Sequence, residues 1–154
     1  LCLPLLPRLR QGHHRGRVSE RIFELPLQPT AWARPRAVVV NGRARMFTAS
    51  KQRVSVGDLR LVLAAQGARP YPAHVPLFLA LTFRVRRPAA APKRVSYPAT
   101  RPDLDQYVKL ILDAGNGLLW PDDAQIVSLH ASKVFALDEE GGPSIRLEVT
   151  EIGD

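Results

Sequence analysis

Between Leu77 and Val85 the chain alternates: Leu77, Leu79, Leu81, Phe83 and Val85 fall on one side, and Phe78, Ala80, Thr82 and Arg84 on the other. That period of two predicts a strand with one face in a core. The same alternation predicts a first strand over Ile22 to Leu27 and a last one carrying Ile145, Leu147 and Val149. Val38-Val39-Val40 and the run from Arg43 to Thr48 flank Asn41-Gly42, a dipeptide that supplies the positive φ angles of a tight hairpin turn. Ser50 to Gln66 reads as a helix turning Val54, Leu59, Val62, Leu63 and Ala65 inward. A second helix starts near Asp103, because Leu104, Tyr107, Val108, Ile111 and Leu112 share one side at helical spacing. Gly115 and Gly117 are read as its end, a strand follows over Gln125 to Phe135, and Asp138 to Gly142 forms an acidic turn. The order predicts a small single α/β domain with a mixed β-sheet and helices packed on one face. Residues 21–154 form that domain, and the leucine, proline and arginine-rich residues 1–20 are read as a disordered extension.

Charge changes the picture more than composition does. The chain has 154 residues and a net charge of +8. Residues 1–102 carry a balance of +16, however, and residues 103–154 a balance of −8. A basic body joined to an acidic centre suits a protein that grips a polyanion and works on it. Arg34, Arg36, Arg43 and Arg45 are candidate phosphate contacts, as are Arg84, Arg86, Arg87, Lys93, Arg94 and Arg101. The last six lie in or beside a Pro/Ala-rich connection without apolar period, which is expected to close on DNA. The chain holds a single cysteine, Cys2, which excludes an internal disulfide and fits a reducing, cytoplasmic setting. No apolar run of 18 residues is present, so no membrane-spanning helix is expected.

The candidate chemistry lies between Asp103 and Asp123. Asp105, Lys109 and Asp113 stand in a row one helical turn apart, opposite the apolar side, with Asp103 beside them. Asp122 and Asp123 follow in a Pro-Asp-Asp corner. Each has an ordinary structural reading. Asp103 with Gln106 has the spacing of a capping box, Pro121-Asp122-Asp123 that of a type I turn, and Asp105 with Lys109 that of a surface ion pair. Together they concentrate repulsion, since two unit charges ~4 Å apart cost roughly 4 kcal/mol at an effective dielectric of 20. A bound cation relieves it. Carboxylates without His or Cys suit Mg2+, with Mn2+ able to substitute, and Asp103, Asp105 and Asp123 are the expected ligands, with Asp122 in reserve.

The stretch PDLDQYVKLILDAGNG followed by WPDDAQIV resembles the RusA family of Holliday-junction resolvases, whose core runs P-D-x-D-N-x-x-K, then D-A-L-N-G, then D-D-x-Q-V. The match is nearly continuous from Pro102 to Val127. Two positions depart from it, Gln106 in place of Asn and Gly115 in place of Leu. The resemblance implies that Asp103, Asp105 and Asp123 are catalytic metal ligands and Lys109 an essential lysine. It also implies a homodimer acting on four-way junction DNA in recombination and repair. Two equivalent sites about a dyad would suit paired nicks in a two-fold substrate. The expected activity is Mg2+-dependent endodeoxyribonuclease. A non-catalytic junction binder and a metal nuclease of other branched or flap DNA are the alternatives.

Overall fold

In a computed structural model, residues 19–31, 36–47 and 50–153 are described. Six strands and two helices follow in the order β1 (Glu20–Leu25), β2 (Arg36–Val40), β3 (Arg43–Phe47), α1 (Ser50–Ala65), β4 (Leu77–Val85), α2 (Leu104–Gly115), β5 (Ile126–Phe135) and β6 (Ser144–Glu151). Single 3-10 turns precede β5 and β6, at Asp123–Gln125 and Asp138–Glu140. The main sheet has the order β1-β6-β4-β5, antiparallel except for the β4–β5 pair. It is the mixed sheet that the sequence predicts.

The alternation in β4 is realised in full, with Leu77, Leu79, Leu81, Phe83 and Val85 all buried. Ile145, Leu147 and Val149 of β6 and Phe23 and Leu25 of β1 join them on the same face. That face receives both helices. Leu59 and Leu63 come from α1, and Tyr107, Val108, Leu110, Ile111 and Ala114 from α2. The ring of Tyr107 stacks on Phe83 with centroids 5.2 Å apart. Leu104 and Leu112, expected inside, are only partly buried, while Leu110 is fully covered. The reason is that α2 packs against α1 as well as the sheet, which widens its buried arc toward Leu59.

Several boundaries differ from expectation. Strand β1 runs from Glu20 to Leu25 and stops before Pro26, which has no N–H for the ladder. Ser19 and Glu20 therefore belong to the fold, with the Glu151 amide donating to the Ser19 carbonyl at 3.2 Å. The extension expected at the N-terminus otherwise lies outside the described residues. Helix α1 ends at Ala65, where Gly67 takes φ +79° and the Ala68 amide returns to the Leu63 carbonyl. Ala65, expected inside, is exposed, and the side chain of Val54 lies outside the described residues. The β2–β3 hairpin turns at Asn41 (φ 53°) and Gly42 (φ 73°), as the Asn-Gly pair requires.

Candidate functional site

Asp103 flanks α2 with extended backbone, φ −69° and ψ 147°. Its side chain makes no capping hydrogen bond; only its carbonyl accepts, from the Gln106 amide at 3.2 Å. The spacing of a capping box is present, but the carboxylate is left uncommitted. Asp105 lies in the first turn, where the positive end of the helix dipole favours an acid. Both carboxylates are exposed and take part in no hydrogen bond or ion pair among the described residues. Lys109 pairs one turn on with Asp113 at 3.8 Å, a solvated contact between partly exposed side chains.

The far end of α2 is tightly finished. Gly117 takes φ +76°, and its amide donates to the Trp120 carbonyl at 2.7 Å. The Leu118 and Leu119 amides turn back to the Gly115 carbonyl at 3.0 and 2.8 Å. Arg60 of α1 donates to the carbonyls of Ala114 and Asn116, each at 3.0 Å, placing a cation on the negative end of the helix. Position 115 is glycine for a steric reason. The buried indole of Trp120 lies where its Cβ would be. Beyond Trp120, the Asp122 carboxylate accepts from the Ala124 amide at 2.9 Å, so this acid caps the 3-10 turn. Gln125 anchors that turn by donating to the carbonyls of Pro72 and Val75, at 2.9 and 3.1 Å. Asp123 is exposed, and no hydrogen bond or ion pair among the described residues holds its carboxylate.

The structure does not draw these acids into one group: among the described residues, no three or more His, Cys, Asp or Glu stand close enough to hold a metal ion. Asp105 and Lys109 border a groove floored by Leu104, Val108, Leu112, Leu129 and Ala131. Asp122 borders another depression, beside His74 and Pro121. The two sets meet β5 at opposite ends. The chain before Asp103 is tied to Lys133 near the end of β5, whereas Asp123 just precedes its start. The donor chemistry at the helix entrance still fits a hard divalent cation, which commonly takes one or two carboxylates and completes its shell with water and substrate phosphate.

In the sequence Lys133 has a place in the predicted strand over Gln125 to Phe135 but no role. Its ammonium donates to the carbonyls of Thr100 and Pro102 at 2.5 and 2.9 Å, fixing the backbone immediately before Asp103. Gln125 was visible only as the Q of the family pattern, and nothing in the sequence marked Arg60.

The ten candidate DNA contacts separate. Arg34 lies outside the described residues, and Arg36 opens β2. Arg43 and Arg45 are exposed on β3, sharing a hairpin face with Val40 and Val38. Arg86, Lys93, Arg94 and Arg101 are exposed on the connection that leads into Asp103. Two of the arginines have partners within the protein. Arg84 lies on the sheet face away from the helices, bonded to Glu24 at 3.3 Å and Ser144 at 3.2 Å. Arg87 lies over the Phe135 ring, 4.5 Å from its centroid, and donates to the Pro92 carbonyl at 2.7 Å. Both have long-range partners that a local charge pattern cannot reveal.

A small α/β domain with uncommitted aspartates beside a cationic connection belongs to the class of proteins equipped to handle polyanions. Residues 26–150 match the family model described as endodeoxyribonuclease RusA, and the chain belongs to that family. Membership implies endodeoxyribonuclease activity and a branched DNA substrate, and nucleases of this family typically depend on a divalent metal. The chain is also similar to an uncharacterised protein of Bacillus subtilis (strain 168), YqaN, at 29% identity over 136 residues, covering 81% of this chain and 92% of that protein. No helix among the described residues is long and apolar enough to cross a membrane.

Proposed function

We propose that the protein is a Mg2+-dependent endodeoxyribonuclease that resolves four-way DNA junctions by paired symmetric nicks, acting as a homodimer in recombination and repair. The observation that carries this reading is the uncommitted carboxylate of Asp103, which stands at a helix N-terminus without capping it, beside the equally uncommitted Asp105. Among the described residues neither acid makes a hydrogen bond, so both stay available beyond the favourable charge they place at the helix N-terminus. Asp103 and Asp105 are the residues that would hold the cation, while Asp123 stands at the other end of β5 and Asp122 is engaged as a cap. When bound, the cation supplies charge neutralisation at the scissile phosphate and a lowered pKa for the attacking water. Lys109, one turn beyond Asp105 on the same side of α2, offsets negative charge developing on the phosphate. The exposed cations of the 86–101 connection grip the backbone alongside.

The test is incubation with a labelled mobile four-way junction in Mg2+, in Mn2+ and in EDTA, beside duplex and flap controls. Paired metal-dependent nicks are expected, and Asp105→Asn should abolish them while leaving DNA binding intact or tighter, because phosphate repulsion is relieved. Parental cleavage by that variant sinks the site assignment. The separation of the corner acids from the helix entrance favours a second reading, a non-catalytic junction binder, which predicts salt-sensitive binding without nicking in any metal. Flap cleavage exceeding paired nicking would instead identify a nuclease of other branched DNA.

A further inference from the structure

The connection between β4 and α2 has no regular secondary structure, yet it is fastened along its length. The Phe135 amide donates to the Ser96 carbonyl at 2.9 Å. Pro98 is buried. Lys133 holds the carbonyls of Thr100 and Pro102, and turns close from Pro88 to Ala91 and from Pro92 to Val95. Tyr97 lies between the fastened Ser96 and the buried Pro98, and its side chain goes the other way. The residue is 67% exposed and makes no hydrogen bond or ring contact among the described residues. A single exposed aromatic needs no explanation by itself. This one has particular company: Lys93, Arg94 and Arg101 are exposed nearby in sequence, Val95 is 38% exposed, and no Asp or Glu occurs between Asp58 and Asp103.

We infer that Tyr97 is a base-stacking site, whose ligand is an unstacked nucleobase at the branch of a DNA junction. A phenol ring held by a fastened backbone presents an apolar face that loses little freedom on binding, while the cations beside it follow the phosphates. Bases inside continuous duplex are already stacked on one another and offer no free face. Bases at a branch do. The contact therefore discriminates by DNA shape rather than by sequence, on the same fastened connection that leads into the acids opening α2. The inference rests on the proposed junction activity and adds to it the residue that selects the substrate.

The experiment measures affinity for a four-way junction and for linear duplex of the same sequence, in EDTA, with the parent protein, Tyr97→Ala and Tyr97→Phe. A second junction carries 2-aminopurine at the branch as a fluorescent report of stacking. Loss of one stacked base corresponds to about 5- to 150-fold in affinity. Tyr97→Ala should lose that much on the junction, stay within about twofold on duplex, and abolish the parent's 2-aminopurine response, while Tyr97→Phe keeps all three parental values. If the parent prefers the junction and Tyr97→Ala retains both that preference and the fluorescence response, the Tyr97 assignment is wrong and the junction reading stands. If the parent itself shows no preference for the junction, both fall.

Discussion

Replacing Gly115 with alanine sets two effects against each other, and the structure decides between them. In a helix interior alanine is favoured over glycine by about 0.8–1.0 kcal/mol, and it also narrows the unfolded ensemble. Opposing this, an added Cβ would lie 2.4, 2.5 and 3.0 Å from Cζ2, Cη2 and Cε2 of Trp120, where ordinary contact is 3.4–4 Å. Trp120 is fully buried, so its ring has no free space to enter. Forcing a methyl group into a packed core typically costs about 1–3 kcal/mol. Because Gly115 is the last residue of α2, the propensity gain is at the low end of its range, and the clash wins by up to about 2 kcal/mol. For a chain of this size about 2 kcal/mol lowers Tm by roughly 4–8 °C. Urea and thermal unfolding measure it directly, and a leucine at the same place should be worse. Trp120→Leu removes the opposing ring, so the double variant with Gly115→Ala should be more stable than the two single losses added together. A Gly115→Ala protein as stable as the parent, or more so, would refute the steric account. Trp120 also immediately precedes the corner that carries Asp122 and Asp123, so cleavage measured well below the melting temperature should fall too.

Lys133→Met removes both donations to the chain before Asp103, and ionic hydrogen bonds of this kind are worth about 1.5–3 kcal/mol when intact. Hydrogen exchange should accelerate across residues 96–103, and Mg2+-dependent cleavage should fall with DNA affinity nearly unchanged; parental exchange rates would contradict the tie. Arg60→Met, which uncaps the Ala114 and Asn116 carbonyls, should lower stability by about 1 kcal/mol in urea titration. Burial raises the Tyr71 and Tyr107 hydroxyls above their ordinary value of 10.0. The folded state thus keeps these protons where the unfolded chain has released them, so their contribution is complete below pH 10 and is lost as pH rises toward the folded values. Unfolding free energy measured against pH should decline above about pH 10, less steeply in Tyr107→Phe, and an unchanged slope in that variant would count against the assignment.

What could be read beforehand was whatever one segment encodes by itself. The alternation of β4, the Asn41-Gly42 turn and the apolar side of α2 each depend on neighbours within a few residues. The aspartate and lysine spacing was legible for the same reason. What escaped depends on distant partners. Lys133 bonds to backbone carbonyls, which every residue possesses, so nothing in the sequence of 100–102 announces the contact. Arg84 looked like one more cation near a basic connection until the sheet placed Glu24, 60 positions away, beside it. Gly115 resembled a helix stop, but its role comes from a tryptophan folding back five residues later. The separation of Asp123 from the entrance of α2 likewise follows from how β5 is seated.

The strand order β1-β6-β4-β5 places the latest of the sheet's strands between two of its earlier ones. During synthesis β1 emerges before its ladder neighbour among the described residues, β6, which arrives more than a hundred residues later. At translation speeds of about 5–20 residues per second, that interval lasts many seconds. The ribosome thus holds a chain whose aspartates are already made but whose sheet cannot yet close. A DNA-cutting enzyme built in this order closes the sheet beneath its acids only when β6 arrives, so a nascent copy without β6 has no completed platform from which to cut.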